Sequence, residues 1–160
     1  MYEGKLVRLR ECRIEDAQQF VKWLNDYHLA GKLTGGGARP MTVEQEEAWL
    51  KAHGGQQEGE NHFAIETLDG RLIGNCGYRE VDWQARRCMV GWFIGEEAMR
   101  GKGYGTDMIR VLLRFCFEEL GMHKVSLEVF EYNEAAVRLY ERLGFVREGV
   151  FRDEAYRAGR

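Results

Sequence analysis

The chain has one proline in 160 residues, and neither its four cysteines nor its four histidines are spaced to bind a metal or form a redox pair. Cys76, Cys88 and Cys116 sit in or beside apolar runs, and Cys12 stands alone. They read as reduced residues of a cytoplasmic protein. His28, His53, His62 and His123 show no ligand pattern, so no metal is expected. No apolar run approaches membrane-spanning length, and the opening Met-Tyr-Glu-Gly-Lys is not the start of a signal peptide. There is no excess of positive charge either. A net charge of −3 argues against nucleic acid as the main partner and leaves a cationic substrate open.

What is present is ordinary for a folded protein. With 44% hydrophobic and 31% charged residues, the chain is not of the disordered class. Its length suits one domain over residues 1–160, with a single substantial core. No repeat, low-complexity segment or linker interrupts it.

Val7-Arg8-Leu9-Arg10 alternates and predicts a strand with Val7 and Leu9 buried. Ala17, Phe20, Val21 and Leu24 recur at helical spacing, and this helix ends near Asn25-Asp26. Residues 31–40 carry four glycines and the proline, which marks a loop. Thr42, with Gln45 three residues on, predicts a capping box and a second helix ending before Gly54. Residues 62–67, 72–81 and 87–94 read as strands joined by two tight turns, the first at Asp69-Gly70, hence an antiparallel meander. A helix over 104–120 carries a wide apolar stripe that includes Met108, Ile109, Leu112, Cys116 and Phe117. A strand over 125–130 follows, and the strand–helix–strand crossover makes 87–94 and 125–130 parallel neighbours. Asn133 opens a last helix that stops at Gly144, and 145–151 read as a final strand.

Between the strand 87–94 and the helix that follows lies Arg100-Gly101-Lys102-Gly103-Tyr104-Gly105-Thr106. Free backbone N–H groups and the positive end of the helix dipole meet there, which suits a phosphate. It is not a Walker loop, because Lys102 is followed by Gly103, and not a dinucleotide fingerprint, because Thr106 stands where the last glycine should be. What fits is Arg-x-x-Gly-x-Gly, as Arg100, Gly103 and Gly105. Farther on come Leu127-Glu128-Val129, Asn133, Ala136 and Leu139-Tyr140-Glu141-Arg142-Leu143-Gly144-Phe145.

These two motifs, in this order, resemble those of the GNAT superfamily of N-acetyltransferases over residues 5–152. The branch most similar holds ribosomal-protein alanine and polyamine acetyltransferases. The resemblance implies a layered α+β (α/β) fold in the order β-α-α-β-β-β-α-β-α-β. In its mixed sheet, strands 87–94 and 125–130 run parallel and splay at a bulge, which Gly91 and Gly95 would bracket. That branch commonly adds one more strand. Here the chain stops at Arg160, so either it is a shortened chain or the sheet edge is completed another way. An uncovered edge invites a second copy, a homodimer.

The resemblance also implies a reaction, the transfer of acetyl from acetyl-CoA (a co-substrate) directly to a primary amine, either a protein N-terminus or a small amine such as a polyamine. Backbone N–H groups of Gly101, Lys102, Gly103, Tyr104, Gly105 and Thr106 would hold the phosphates, with Arg100 or Lys102 adding charge. Phe93 and Ile94 would pair with the pantetheine, and Asn133 would hold the cofactor from the next helix. Tyr140, two helical turns beyond Asn133, would protonate the departing thiolate, since a phenol of pKa about 10 is protonated at neutral pH. Glu128 matches the base of the ribosomal enzymes. Val90 stands where some polyamine enzymes carry a glutamate. Glu80, Asp82 or a water chain are alternatives. The acceptor half would hold Trp23, Asp26, Glu44, Glu46, Glu47 and Trp49. A non-catalytic acetyl-CoA sensor is the rival reading, and Tyr140 argues against it.

Overall fold

The computed structural model describes residues 2–33, 40–55 and 57–156. Six strands lie in sequence order across one sheet: β1 (Tyr2–Glu3), β2 (Val7–Glu11), β3 (Asn61–Thr67), β4 (Leu72–Asp82), β5 (Arg87–Ile94) and β6 (Lys124–Ser126). All neighbours are antiparallel except β5 and β6, which are parallel, as the crossover requires. The expected meander is β3-β4-β5. Its first turn closes with Thr67 donating its N–H to the Arg71 carbonyl at 2.9 Å, and Gly70 takes the positive φ of 93°.

Helices cover both faces. Val7, Leu9, Ile65, Cys76, Val90 and Ile94 point to one face, under Met108, Ile109 and Leu112 of α4 (Tyr104–Arg114). On the other face α1 (Ala17–Leu24) and α3 (Val43–His53) enclose Ala17, Phe20, Trp23, Leu50 and Ala64. The capping box at Thr42 and Gln45 forms as expected. Cys76, Cys88 and Cys116 are buried and Cys12 half-buried. Among the described residues, no helix is long and apolar enough to cross a membrane.

The structure departs from the sequence reading in five places. A helix α2 (Tyr27–Leu33) starts just past the expected helix end and takes the first three residues of the expected loop, because Asp26 Oδ1 accepts the N–H of Leu29 at 2.9 Å. The part of that loop at 34–39 lies outside the described residues. The helix expected through 120 turns π-helical over Phe115–Glu119, and the wider turn leaves Phe117 45% exposed despite its place in the stripe. The bulge is not at Gly91–Gly95, where β5 keeps regular register with β4 from Met89 to Ile94. The sheet's register shifts lie elsewhere, between Ile65 and Glu66 on β3 and between Arg79 and Asp82 on β4, where Glu80 has φ 54°. Gly95 makes room instead: a Cβ there would fall 2.0 Å from the Trp23 ring, whereas one on Gly91 would meet only the tip of Arg79, with Nη1 at 3.4 Å.

The last two departures concern one edge. β6 is three residues long, so 127–130 form no ladder with β5. Residues 145–151 form no strand, because the neighbour they would pair with has itself left the sheet. An ion pair, Lys124 Nζ to Glu148 at 2.9 Å, links that segment to β6, while Val146 is 83% exposed. The last helix, α5 (Glu134–Arg142), lies between these two segments in the chain.

Candidate active site

The glycine loop has the backbone an anion needs. Gly101 (φ 72°) and Gly103 (φ 87°) are left-handed, a conformation costly for residues with a side chain. Gly103 is the N-cap of α4, and the first bond of the helix runs from Asp107 N–H to the Gly103 carbonyl at 3.0 Å. The N–H groups of Tyr104, Gly105 and Thr106 therefore belong to the orphaned first turn. Lys102 is exposed beside them. Arg100 is engaged differently: Nε donates to the Ile94 carbonyl and Nη2 to the Gly95 carbonyl, each at 3.2 Å. Its guanidinium ties the loop to the end of β5 and leaves a positive charge near the nest.

The splay is present as an open edge. β6 pairs only with Arg87, Cys88 and Met89, so β5 runs on from Val90 to Ile94 without a neighbour on that side. The Arg86 and Cys88 carbonyls face β6, accepting from His123 N–H and from the Ser126 hydroxyl, and Gly95 N–H faces β4. By strand alternation, the N–H groups of Trp92 and Ile94 face the open edge, whereas that of Phe93 faces β4. Of the two residues expected at the pantetheine, Ile94 presents its amide to the opening. Phe93 presents its ring to the other face, edge-on to Phe20 and Trp23 at 6.4 and 6.2 Å.

Tyr140 reaches β5. Trp92 Nε1 donates to Tyr140 Oη at 2.5 Å, with the rings edge to face at 6.3 Å. The Phe145 ring also packs edge to face on the phenol ring, at 5.6 Å. Burial pushes the Tyr140 hydroxyl up to about 12, against a smaller downward pull from the indole N–H. The phenol is thus a proton donor over the whole neutral range. Asn133 takes the N-cap position of α5, but only its backbone carbonyl caps, accepting from Ala136 and Val137 at 3.1 Å. Its carboxamide makes no cap bond, which leaves it available to a ligand.

Glu128 is exposed in the segment past β6 and is not joined to Tyr140 by any hydrogen bond. The six residues expected around the acceptor separate. Trp23 and Glu46 are buried on the α1/α3 face, Glu47 is half-buried and Glu44 is exposed. Asp26 caps α2, and Trp49 packs against His53 and His62. Glu46, one turn from Leu50 on the inward side of α3, is only 4% exposed, and burial raises its carboxyl to about 7. It forms no hydrogen bond or ion pair among the described residues, whereas buried Asp16 is taken by Arg10 in two bonds of 2.9 Å. Tyr132 reaches from the segment before α5 to α2, donating its hydroxyl to the Gly31 carbonyl at 2.6 Å.

Sequence reasoning missed Trp92 as a functional candidate. Its only signal was a large polar-tipped aromatic in an otherwise aliphatic buried register.

Residues 7–146 match the acetyltransferase (GNAT) domain. An N-acetyltransferase from the SPbeta prophage of Bacillus subtilis is 29% identical over 121 residues, 75% of this chain and 66% of that protein. Spermidine N(1)-acetyltransferase of Vibrio cholerae is 35% identical over 101 residues, 63% of this chain and 58% of that protein. The matched stretch thus spans about two thirds of one curated relative and less of the other. The crystal structure of spermidine N-acetyltransferase from Vibrio cholerae in complex with CoA and spermine superposes with a TM-score of 0.86. It is 26% identical, with 96% of this chain and 89% of that one covered. With the glycine loop opening α4, the open β5 edge and the Tyr140 phenol at that edge on the same domain, the chain belongs to the GNAT family of acetyltransferases.

Proposed function

We propose that the protein transfers the acetyl group of acetyl-CoA to a primary amine carried on a cationic small molecule of the polyamine kind. The observation that carries the reading is the placement of Tyr140, a protonated phenol bonded to the strand whose edge stands open. The orphaned N–H groups of Tyr104, Gly105 and Thr106 fit the cofactor's phosphates, with Lys102 adding charge. The open amides of Trp92 and Ile94 fit an extended amide-bearing arm, and the Asn133 carboxamide is free to bind it.

In the reaction the amine nitrogen forms a bond to the thioester carbon and the carbon–sulfur bond breaks. The ammonium first loses one proton through a base or solvent, Tyr140 gives its proton to the departing thiolate, and the second proton shed by the nitrogen after attack returns to the phenolate. Glu128 is the proposed base on the exposed side. A β5 N–H at the open edge would stabilise the oxyanion. The acceptor would approach from the α1/α3 face, where Glu46 is a buried carboxyl without a cation and the half-buried Phe93 offers aromatic surface.

The test is release of free thiol from acetyl-CoA across polyamines, amino sugars, amino acids and peptides with varied N-termini. Turnover with polyamines supports the reading, and turnover confined to peptides moves the acceptor to a protein N-terminus. No turnover with any amine, while calorimetry shows acetyl-CoA binding, would favour the sensor.

A further inference from the structure

We propose that Trp92 is a positioning residue for the acid step, holding Tyr140 so that its O–H points into the open edge and steadying the phenolate that forms. The inference rests on the assignment of Tyr140 as the acid. An indole N–H can only donate, so in the Trp92–Tyr140 bond the phenol oxygen is the acceptor. A phenol O–H lies in the ring plane and points to one side or the other. With one side of the oxygen filled by the indole hydrogen, the hydroxyl hydrogen is left on the other side, free to be given away. Trp92 therefore selects one of two otherwise equal orientations.

The indole also has a part after the proton moves. When Tyr140 passes its proton to the thiolate, the oxygen carries a full negative charge in a site that burial disfavours for charge. The same N–H then donates to an anion, and a hydrogen bond to a charged group is worth more than one to a neutral group. The bond strengthens as the charge develops, which speeds the step rather than merely tightening the resting state.

Trp92 is itself held from two directions. Its backbone is paired to Cys76 of β4, in a regular stretch of ladder. Its ring lies under the first turn of α4, where a Cβ on Gly105 would come within 2.8 Å of Cη2 and 2.9 Å of Cζ3. The glycine at 105 thus serves the ring as well as the nest. One side chain touches both the helix that begins the phosphate loop and the acid 48 residues later in the chain.

The test is a double-mutant cycle with Trp92→Phe and Tyr140→Phe, read as kcat with saturating amine and as acetyl-CoA affinity by calorimetry. Trp92→Phe keeps a ring under Gly105 and removes only the donor. It is expected to lower kcat roughly five- to tenfold with acetyl-CoA affinity unchanged. In the Tyr140→Phe background the same change is expected to cost nothing further, because the bond it serves is gone. The loss should fall on kcat with KM for the amine unchanged, a split that a packing defect would not produce. An equal loss of kcat in both backgrounds, or a loss of acetyl-CoA affinity alone, overturns the proposal. If Tyr140→Phe by itself leaves kcat unchanged, the acid assignment fails first. If it lowers kcat and Trp92→Phe does not, Trp92 alone is struck out.

Discussion

The Asp107 carboxylate accepts the backbone N–H of Leu6 at 2.8 Å, and the same group takes those of Lys5 and Val7 at 3.1 Å each. An acid in the first turn of α4 would oppose a phosphate at the same helix end, but three donors offset its charge. Asp107→Ala should lower stability by about 1–3 kcal/mol, since up to three N–H groups lose their acceptor and only Val7 is fully buried. Urea denaturation measures it. An unchanged midpoint would mean that water serves these amides equally well.

Gly103→Val should remove acetyl-CoA binding. At φ 87° a β-branched residue is strained, and its side chain would rise beside the orphaned N–H groups of the nest. Calorimetry with acetyl-CoA is the check. Undiminished affinity would place the phosphates elsewhere.

Gly95→Ala should destabilise by about 1–3 kcal/mol through overpacking against Trp23. Adding Trp23→Leu should recover part of that loss, since the smaller side chain vacates the space the new methyl needs. If the two losses simply add, the contact with Trp23 is not the cause.

The Glu46 carboxyl makes stability fall with pH. Burial raises it from 4.5 to about 7, so the folded chain keeps a proton that the unfolded chain releases first. Stability is full below pH 4.5, declines as pH rises to about 7 and is level above that. The pKa difference caps the effect near ~3 kcal/mol, and partial solvation reduces it to about 1–2 kcal/mol. Glu46→Gln should therefore stabilise by that reduced amount at pH 8 and leave stability at pH 4 unchanged, measured by denaturant titration at both values. An equal change at both pH values would show that ionisation is not the source. If Glu46 also receives the acceptor, the same variant should raise KM for the amine.

Much of this was legible in the sequence because the signals are local. The capping box at Thr42, the turn at Asp69-Gly70 and the glycine loop each lie within a few residues and depend on backbone rules alone. The parallel β5–β6 pair followed from the strand–helix–strand connection, which returns the chain to the same end of the sheet. What was not legible depends on partners far away in the chain. Alternation in 145–151 says that a strand could form, not that a neighbour is there to receive it. Gly91 and Gly95 looked like marks of a bulge, yet a side chain arriving from α1 explains Gly95. Phe117 kept its place in the helical stripe on paper, but the π turn moved it outward. Trp92 offered only its polar-tipped ring as a sign, because the hydroxyl it bonds comes from another element.

The three-residue length of β6 has a consequence for solvent exchange. Trp92 and Ile94 lie in a strand flanked by sheet on both sides, where amides ordinarily resist exchange with heavy water. Beyond Met89 their N–H groups face no acceptor in β6, so they should exchange as quickly as those of a sheet rim. Acetyl-CoA lying along that edge would supply the missing acceptor and slow these amides. The deuterium uptake of one short peptide from β5 would then serve as a direct gauge of how fully the cleft is filled.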